Sequence, residues 1–299
     1  MLYLGLAPDP PDALSTPPPN RIRPLPMNTI AQRVRHAAAA LPSHFPGWAA
    51  PRAFVQLGAG FEPEGLFDEV LGSAALDDLG LAAPGPSSAG APLRLLLGTV
   101  GSTQLLVGHG HRYGFEGGGL PEALLPVVAA ALVGVRDVVL IESGCTLRED
   151  LKCGTWMAAT DYINAAGGSP AAGFLEILAE PFLDMTDAFS QPLNAQIINA
   201  AALAGISPRL GVYQAVAGPH FDTPAEAEAA RRNGADMLGH GIVAETVLAA
   251  LLGCRVSALV LAAEPAAAYH GRRLQRANVL EAARFCSPAM MRVLHLALA

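Results

Sequence analysis

Short apolar runs alternate with longer amphipathic stretches along most of this 299-residue chain. The runs at 53–57, 137–141 and 210–216 each end in a turn that contains glycine. Runs of this length between turn residues are typical of buried strands, whereas apolar positions three or four residues apart predict amphipathic helices. The alternation of the two patterns therefore predicts an α/β fold with a largely buried sheet.

The same criteria place the remaining elements. Residues 93–100 and 103–107 predict a hairpin that turns at Gly101-Ser102. No internal repeat and no second linker interrupts the pattern, so one domain is predicted for residues 27–299, after a flexible Pro-rich leader at 1–26. Further strands are predicted at 156–160, 237–238 and 256–262, and helices at 28–41, 120–134, 192–204, 224–233, 243–252 and 274–285.

Composition and charge exclude several classes of protein. The net charge of −7 and the absence of a basic run argue against a nucleic-acid partner. The longest apolar run, Leu124–Val135, is too short to span a bilayer, and the N-terminus lacks the pattern of a signal peptide. The four cysteines are scattered without a CxxC pair, as expected for reduced thiols. We therefore expect a cytoplasmic protein with no membrane partner.

Histidines and glycines gather in the turns that follow the predicted strands. Residues 108–119 read GHGHRYGFEGGG, and His-x-His on a strand places both rings on one face, which suits a metal ion or an anion. Ligands of α/β proteins bind where such loops converge. A loop histidine also serves as a plain structural hydrogen-bonding group, so a metal site, an anion site and a polar turn all stay open. The turns are Gly58-Ala59-Gly60, 108–119, Glu142-Ser143-Gly144-Cys145, Gly218–Asp222 and Gly239-His240-Gly241.

Residues 211–226 carry the most specific motif in the chain. They read GVYQAVAGPHFDTPAE and are followed by GADMLG at 234–239. This resembles the pattern GVYxxxxGPxFETxAE, then GADxVGMS, of the trimeric purine nucleoside phosphorylases and methylthioadenosine phosphorylases. The turn at 58–60 falls on the family's GSG phosphate loop and 108–119 on its GRFHxYEG segment. The segments TDYIN at 160–164 and FLDMTD at 182–187 are similar to its DHIN and FPDMTD, and the resemblance covers about residues 28–290.

The resemblance implies a fold and a reaction. The family's fold is a single α/β domain with a mixed, partly barrel-like sheet flanked by helices, assembled as a homotrimer. Its members let phosphate attack C1′ of a purine nucleoside, which gives free base and ribose 1-phosphate. Because the transition state resembles an oxocarbenium ion, the enzyme has to hold an anion below the sugar and accept charge on the departing base.

The matched positions imply residue roles. His111 corresponds to a histidine that contacts phosphate, Tyr113 to the tyrosine on the ribose, and Phe221 to the aromatic ring packed on the base. Asp222 stands where the family has the glutamate that binds the purine ring nitrogens. The predicted catalytic residues are His109, His111 and Asp222, and the predicted substrate-binding residues are Gly58, Ala59, Gly60, Tyr113, Ser143, Gly144, His220, Phe221, His240 and Glu264.

Several positions depart from the family's pattern, mainly in the implied phosphate site. Ala59 and Gly241 replace two phosphate-binding serines, and His109 replaces the arginine that supplies charge. Each hydrogen bond to a charged group contributes on the order of 1.5–3 kcal/mol, so these losses predict phosphate binding weaker by several powers of ten. His240 replaces a methionine under the ribose, and Glu264 an asparagine that contacts the base.

We therefore predict an enzyme of the pentosyltransferase type that acts on the N-glycosidic bond of a nucleoside-like substrate, with either weakly held phosphate or water as nucleophile. One alternative is a non-catalytic homologue that binds a ligand or stabilises a partner. Another is a metal-dependent enzyme in which His109, His111 and His240 share an ion such as Zn²⁺. No cofactor is required by the first prediction, and phosphate is its only implied co-substrate.

Overall fold

The computed structural model describes residues 29–82, 87, 93–267 and 273–299. The whole predicted leader at 1–26 and Asn28 of the first predicted helix lie outside the described residues. The strands of the described part are β1 Ala53–Leu57, β2 Glu69–Ala75, β3 Arg94–Val100, β4 Thr103–His109, β5 Asp137–Thr146, β6 Trp156–Asn164, β7 Arg209–Ala215, β8 Met237–Gly239 and β9 Arg255–Pro265. The α-helices are α1 Ile30–His44, α2 Gly119–Ala123, α3 Leu125–Leu132, α4 Gln191–Leu203, α5 Pro224–Arg232, α6 Val243–Leu251 and α7 Arg276–Leu298.

One mixed sheet joins these strands in the order β2-β3-β4-β1-β5-β8-β7-β6-β9. Strand β5 pairs with β9 as well as with β8, so β5, β8, β7, β6 and β9 close into a ring. The other four strands extend from β5 as an open wing, and β4 and β1 run parallel to each other and to β5. Helices pack against the sheet, and the predicted α/β domain with a mixed, partly barrel-like sheet is confirmed.

The wing and the ring bring the predicted turns together. Since β4, β1 and β5 are parallel neighbours, β4 and β1 end at the same edge, with His109 at the end of β4 and Gly58, directly after β1, beside Ile141 and Glu142 of β5. Strands β7 and β8 are also parallel, which places the loops at 216–222 and 240–242 side by side. A capping box of Thr223 and Glu226 fixes the start of α5 directly after the first of these loops.

Some predicted boundaries are wrong. The strand predicted at 137–141 continues through Glu142 to Thr146, because β9 pairs with it along its whole length and the carboxylate finds donors inside the protein. The strand predicted at 156–160 likewise continues to Asn164 against β7. The helix predicted at 120–134 is divided in two at Leu124.

Two further differences concern the edges of the domain. Helix α7 extends to Leu298 although Pro288 lies inside it, since its second half buries apolar side chains such as Met290 and Leu294. Strand β2 was not predicted, because its exposed and half-buried positions do not alternate as those of a half-buried strand do. The hairpin of β3 and β4 is confirmed. None of the helices described is long and apolar enough to cross a membrane.

Candidate active site

A cavity of about 130 Å³ opens where the carboxyl ends of the strands meet the loops after β7 and β8. Its wall combines one buried carboxylate, one half-buried carboxylate, several aromatic rings and one arginine. The residues that line it are Ala59, Tyr113, Phe115, Glu142, Ser143, Gly144, Cys145, Pro219, Phe221, Asp222, Leu238, Gly239, His240, Arg276, Val279 and Leu280.

The cavity gathers about half of the predicted site residues. Ala59, Tyr113, Ser143, Gly144, Phe221, Asp222 and His240 line it. Gly58 and Gly60 flank Ala59 in the adjacent turn, His111 is buried behind the wall, and His109, His220 and Glu264 are not part of the lining. Glu264 accepts a hydrogen bond from Asn278 Nδ2 at 2.6 Å.

Glu142 is the buried carboxylate of the cavity wall, and the structure exposes only 4% of its surface. Its Oε1 accepts a hydrogen bond from the Ser143 amide at 2.9 Å, and its Oε2 accepts one from Tyr113 Oη at 3.1 Å. Burial raises the pKa of Glu142, although His111 and the two donors work in the opposite direction. The carboxylate is therefore held in place on a strand that pairs on both sides.

Two glycines leave the space that this carboxylate occupies. A Cβ atom at Gly58 would lie 2.5 Å from Glu142 Oε1, and one at Gly241 would lie 2.7 Å from Oε2. Neither glycine has a positive φ, so backbone conformation does not require glycine at either position. Glycine is required at both positions because the Glu142 side chain approaches too closely to leave room for a Cβ atom.

His111 lies behind the carboxylate. Its Nε2 lies 2.6 Å from Oε1 of Glu245, which stands in the first turn of α6 and is itself buried. Its Nδ1 lies 4.0 Å from Glu142 Oε2, and this buried atom has no hydrogen-bond partner among the described residues. Burial alone would lower the pKa of His111, but the charges of Glu245 and Glu142 outweigh it and raise the pKa.

The two histidines of the His-x-His segment do not act together. Strand β4 ends at His109, whose Nε2 pairs with Glu62 at 3.0 Å, whereas His111 follows in a loop and pairs with Glu245. The prediction that both rings project from one face of a strand is wrong, because the chain leaves the strand between them. Over the described ranges, no three His, Cys, Asp or Glu side chains form a group that could hold a metal ion. The zinc alternative therefore has no structural support there.

Aromatic rings form the remainder of the wall. Phe115 stacks on Tyr113 with ring centroids 5.3 Å apart, and His240 meets Phe115 edge-on at 5.6 Å. Burial, followed by the charge of Glu142, raises the pKa of Tyr113 well above its ordinary value of 10.0, so its hydroxyl remains a donor. Burial lowers the pKa of His240, which keeps this ring neutral.

The loop after β7 contributes Phe221 and Asp222. Both are partly buried and line the cavity, and the Asp222 carboxyl has a raised pKa because burial disfavours its charge. A carboxyl of this kind donates a hydrogen bond when protonated and accepts one when ionised. Together with a neighbouring aromatic face, it suits a heteroaromatic ring that carries N–H groups or ring nitrogens.

Glu142, Glu245, Phe115 and Arg276 are not among the predicted site residues, although Glu142 opens one of the predicted turns. For Glu142 a signal existed: a charged residue directly after four apolar strand positions is unusual unless the strand ends or the charge has a function. Glu245 gave no such signal, because a glutamate in the first turn of a helix is ordinary. Phe115 and Gly114 are two additional residues in the segment 108–119 compared with the family's GRFHxYEG pattern.

Similarity to known proteins agrees with this geometry. A family model described as the phosphorylase superfamily matches residues 72–299. Purine nucleoside phosphorylase of Mycobacterium tuberculosis is 34% identical over 199 residues, which cover 66% of this chain and 70% of that protein. Purine nucleoside phosphorylase 1 of Bacillus subtilis is 29% identical over 189 residues, which cover 63% of this chain and 70% of that protein.

Solved structures agree on the fold. Schistosoma mansoni purine nucleoside phosphorylase in complex with inosine superimposes with a TM-score of 0.77 at 21% identity, over 90% of this chain and 97% of that one. Fold, motif and family model thus point to the same conclusion: the chain belongs to the nucleoside phosphorylase family.

Proposed function

We propose that this protein cleaves the N-glycosidic bond of a purine nucleoside with water, in place of phosphate, as the nucleophile. One observation carries the proposal: the Glu142 carboxylate fills the space between Gly58 and Gly241. By resemblance, the turn at 58–60 and position 241 belong to the phosphate site of the family. An anion supplied by the protein itself therefore stands where the family binds its anionic co-substrate.

Electrostatics makes the two anions incompatible. Two unit charges 4 Å apart repel each other by about 4 kcal/mol at an effective dielectric constant of about 20. Each negative charge on phosphate would thus lose roughly a factor of 10³ in affinity beside an ionised Glu142. The donors that the resemblance assigns to the phosphate site are also replaced, since Ala59 and Gly241 carry no hydroxyl and His109 is paired with Glu62.

The purine side of the substrate is supported by the cavity. Phe221 offers a ring face and Asp222 a carboxyl group with a raised pKa, both in the loop that carries the GPHFDTPAE motif. Tyr113 and His240 line the same cavity at the positions that the resemblance assigns to the ribose. The relatives at about 30% identity bear the name purine nucleoside phosphorylase, and one fold neighbour was solved with inosine.

The test is product analysis on the full chain. The protein is incubated with a panel of purine and pyrimidine nucleosides, with and without phosphate, and free base and sugar are separated by chromatography. We expect purine release at a rate that phosphate does not change, with free ribose as the sugar product. Saturable phosphate dependence with ribose 1-phosphate would refute the proposal. Failure to release base from any nucleoside would instead favour the non-catalytic alternative.

We also propose that the protein is a homotrimer, as the family resemblance implies, and that it is cytoplasmic, as its scattered cysteines suggest. Trimeric assembly is typical of these phosphorylases, and the described surface exposes large apolar side chains such as Phe182, which is 90% exposed. Light scattering coupled to gel filtration measures the assembly directly. A stable monomer would contradict this part of the proposal.

A further inference from the structure

We propose that Glu142 is the general base that deprotonates the attacking water, so that its carboxylate takes over the place of phosphate in the reaction. The inference rests on the proposed hydrolytic function and adds to it the catalytic residue. It is drawn from the position of the carboxylate, its unused hydrogen-bonding capacity and the histidine behind it.

The carboxylate has room to accept a water. An ionised carboxylate offers about four lone-pair positions, and the described neighbours of Glu142 use them through two donors, the Ser143 amide and Tyr113 Oη. Both donors fix the orientation of the group, and the side chain still lines the cavity. A carboxylate that only stabilised the fold would have no need to face the substrate cavity, where burial is costly for a charge.

The surrounding chain preserves this placement. Gly58 lies next to Oε1 and Gly241 next to Oε2, and a side chain at either position would displace the carboxylate. The two glycines come from different parts of the chain, one after β1 and the other after β8. Neither glycine adopts a positive φ, so what each contributes is the absence of a side chain. The pocket is thus shaped around the carboxylate from two sides.

His111 provides the second contact for a water. Glu245 holds its Nε2, and this leaves Nδ1 buried, without a hydrogen-bond partner in the described chain, and 4.0 Å from Glu142 Oε2. Two polar atoms at this separation can both bond to one water molecule. Buried polar atoms are satisfied by protein or by water in nearly all proteins. The geometry therefore suits a water held between the carboxylate and the imidazole.

The step balances without a further reactant. The water oxygen forms a bond to C1′ while the C1′–N bond to the purine breaks, and that bond's electron pair goes to the base. The proton of the water passes to Glu142, and the departing base takes up a proton from solvent. The products are free base and ribose, and Glu142 returns its proton to solvent. His111 is a positioning residue in this scheme, because it acts through the water and the carboxylate.

The experiment compares Glu142→Gln with the wild type and with Glu281→Gln, an exposed position on α7 that does not line the cavity. Base release without phosphate should fall by about 10²–10⁴-fold in Glu142→Gln, as expected for the loss of a general base. Inosine affinity, measured by equilibrium dialysis, should change by less than about fivefold, since glutamine keeps the size of the side chain. Glu281→Gln should behave like the wild type.

A second variant protects the test from a folding defect. In Glu142→Ala, formate at high concentration should restore part of the rate, because a small carboxylate can enter the space that the side chain leaves. Wild-type-like base release by Glu142→Gln, or an alanine variant that folds and gains nothing from formate, would overturn the role of Glu142 while leaving hydrolysis intact. Phosphate-dependent release by the wild type would instead overturn the hydrolytic function itself.

Discussion

Replacing Gly241 with alanine tests the close fit around Glu142. The new methyl group would lie 2.7 Å from Glu142 Oε2, so the carboxylate has to withdraw. It needs roughly 0.5–1 Å to reach an ordinary contact distance. Oε1 also faces Gly58, where a Cβ atom would lie 2.5 Å away, so there is little space on that side. The shift is therefore expected to break the 3.1 Å hydrogen bond from Tyr113.

The size of the effect follows from these contacts. Loss of a hydrogen bond to a charged group costs about 1.5–3 kcal/mol, and overpacking of a buried site costs about 1–3 kcal/mol. A displacement near 1 Å of a catalytic group lowers a rate by about 10²-fold. For Gly241→Ala we expect a free energy of unfolding lower by about 1–3 kcal/mol and a kcat for base release lower by about 10–100-fold, with little change in KM.

Urea denaturation and steady-state kinetics measure both quantities. The matched control is Gly117→Ala, because a Cβ at Gly117 meets no atom within 4 Å and this glycine has no positive φ. If Gly241→Ala equals Gly117→Ala in stability and in kcat, the argument that the pocket is shaped around the carboxylate fails.

Three further predictions concern charge. Asp222→Asn should weaken inosine binding by about 10–100-fold through loss of a charge-assisted hydrogen bond. Calorimetry measures the affinity, with Asp184→Asn at an exposed position as the control, and equal affinities of the two variants would contradict the prediction. Glu245→Gln should lower the pKa of His111, measured by NMR, because it removes the carboxylate charge that holds this pKa above its ordinary value of 6.5. The stabilisation from the pair is full below 6.5 and is lost as pH rises through the raised pKa, so the variant should lack that loss of stability. Since the proposed general base has to be ionised and the pKa of Glu142 is raised, base release should decline on acidification with a midpoint above 4.5. A rate that stays flat down to that pH would contradict this.

Most of the fold could be predicted from the sequence because its signals are local. The apolar run at 53–57 forms β1 as predicted, and every residue of this strand is buried. The Thr-Pro-x-Glu segment at 223–226 begins α5, since the capping residues satisfy their own helix end. Closure of the ring was foreseen only through the family resemblance, because pairing between β5 and β9 joins residues more than a hundred positions apart.

The site was less predictable, since it depends on contacts between distant segments. Tyr113, Phe221 and Asp222 were found from motifs and do line the cavity. Glu142 was treated as the end of a strand because a lone charge after apolar residues usually marks a turn, and only the structure reveals that Ser143 and Tyr113 hold it inside. The partnership of His111 with Glu245 spans 134 positions and leaves no trace in the local sequence.

Strand β5 belongs to both the closed ring and the open wing, and this has a consequence for how such an enzyme diversifies. The proposed base sits on a strand that pairs with β1, β8 and β9. The groups that would recognise base and sugar lie instead on the loops at 113–116, 219–222 and 240–241. Loop residues can change without breaking the pairing of β5, so new substrate preferences are accessible by single substitutions. Under the proposed function the nucleophile is harder to change, because room for phosphate would require replacement of Glu142 together with the glycines that surround it.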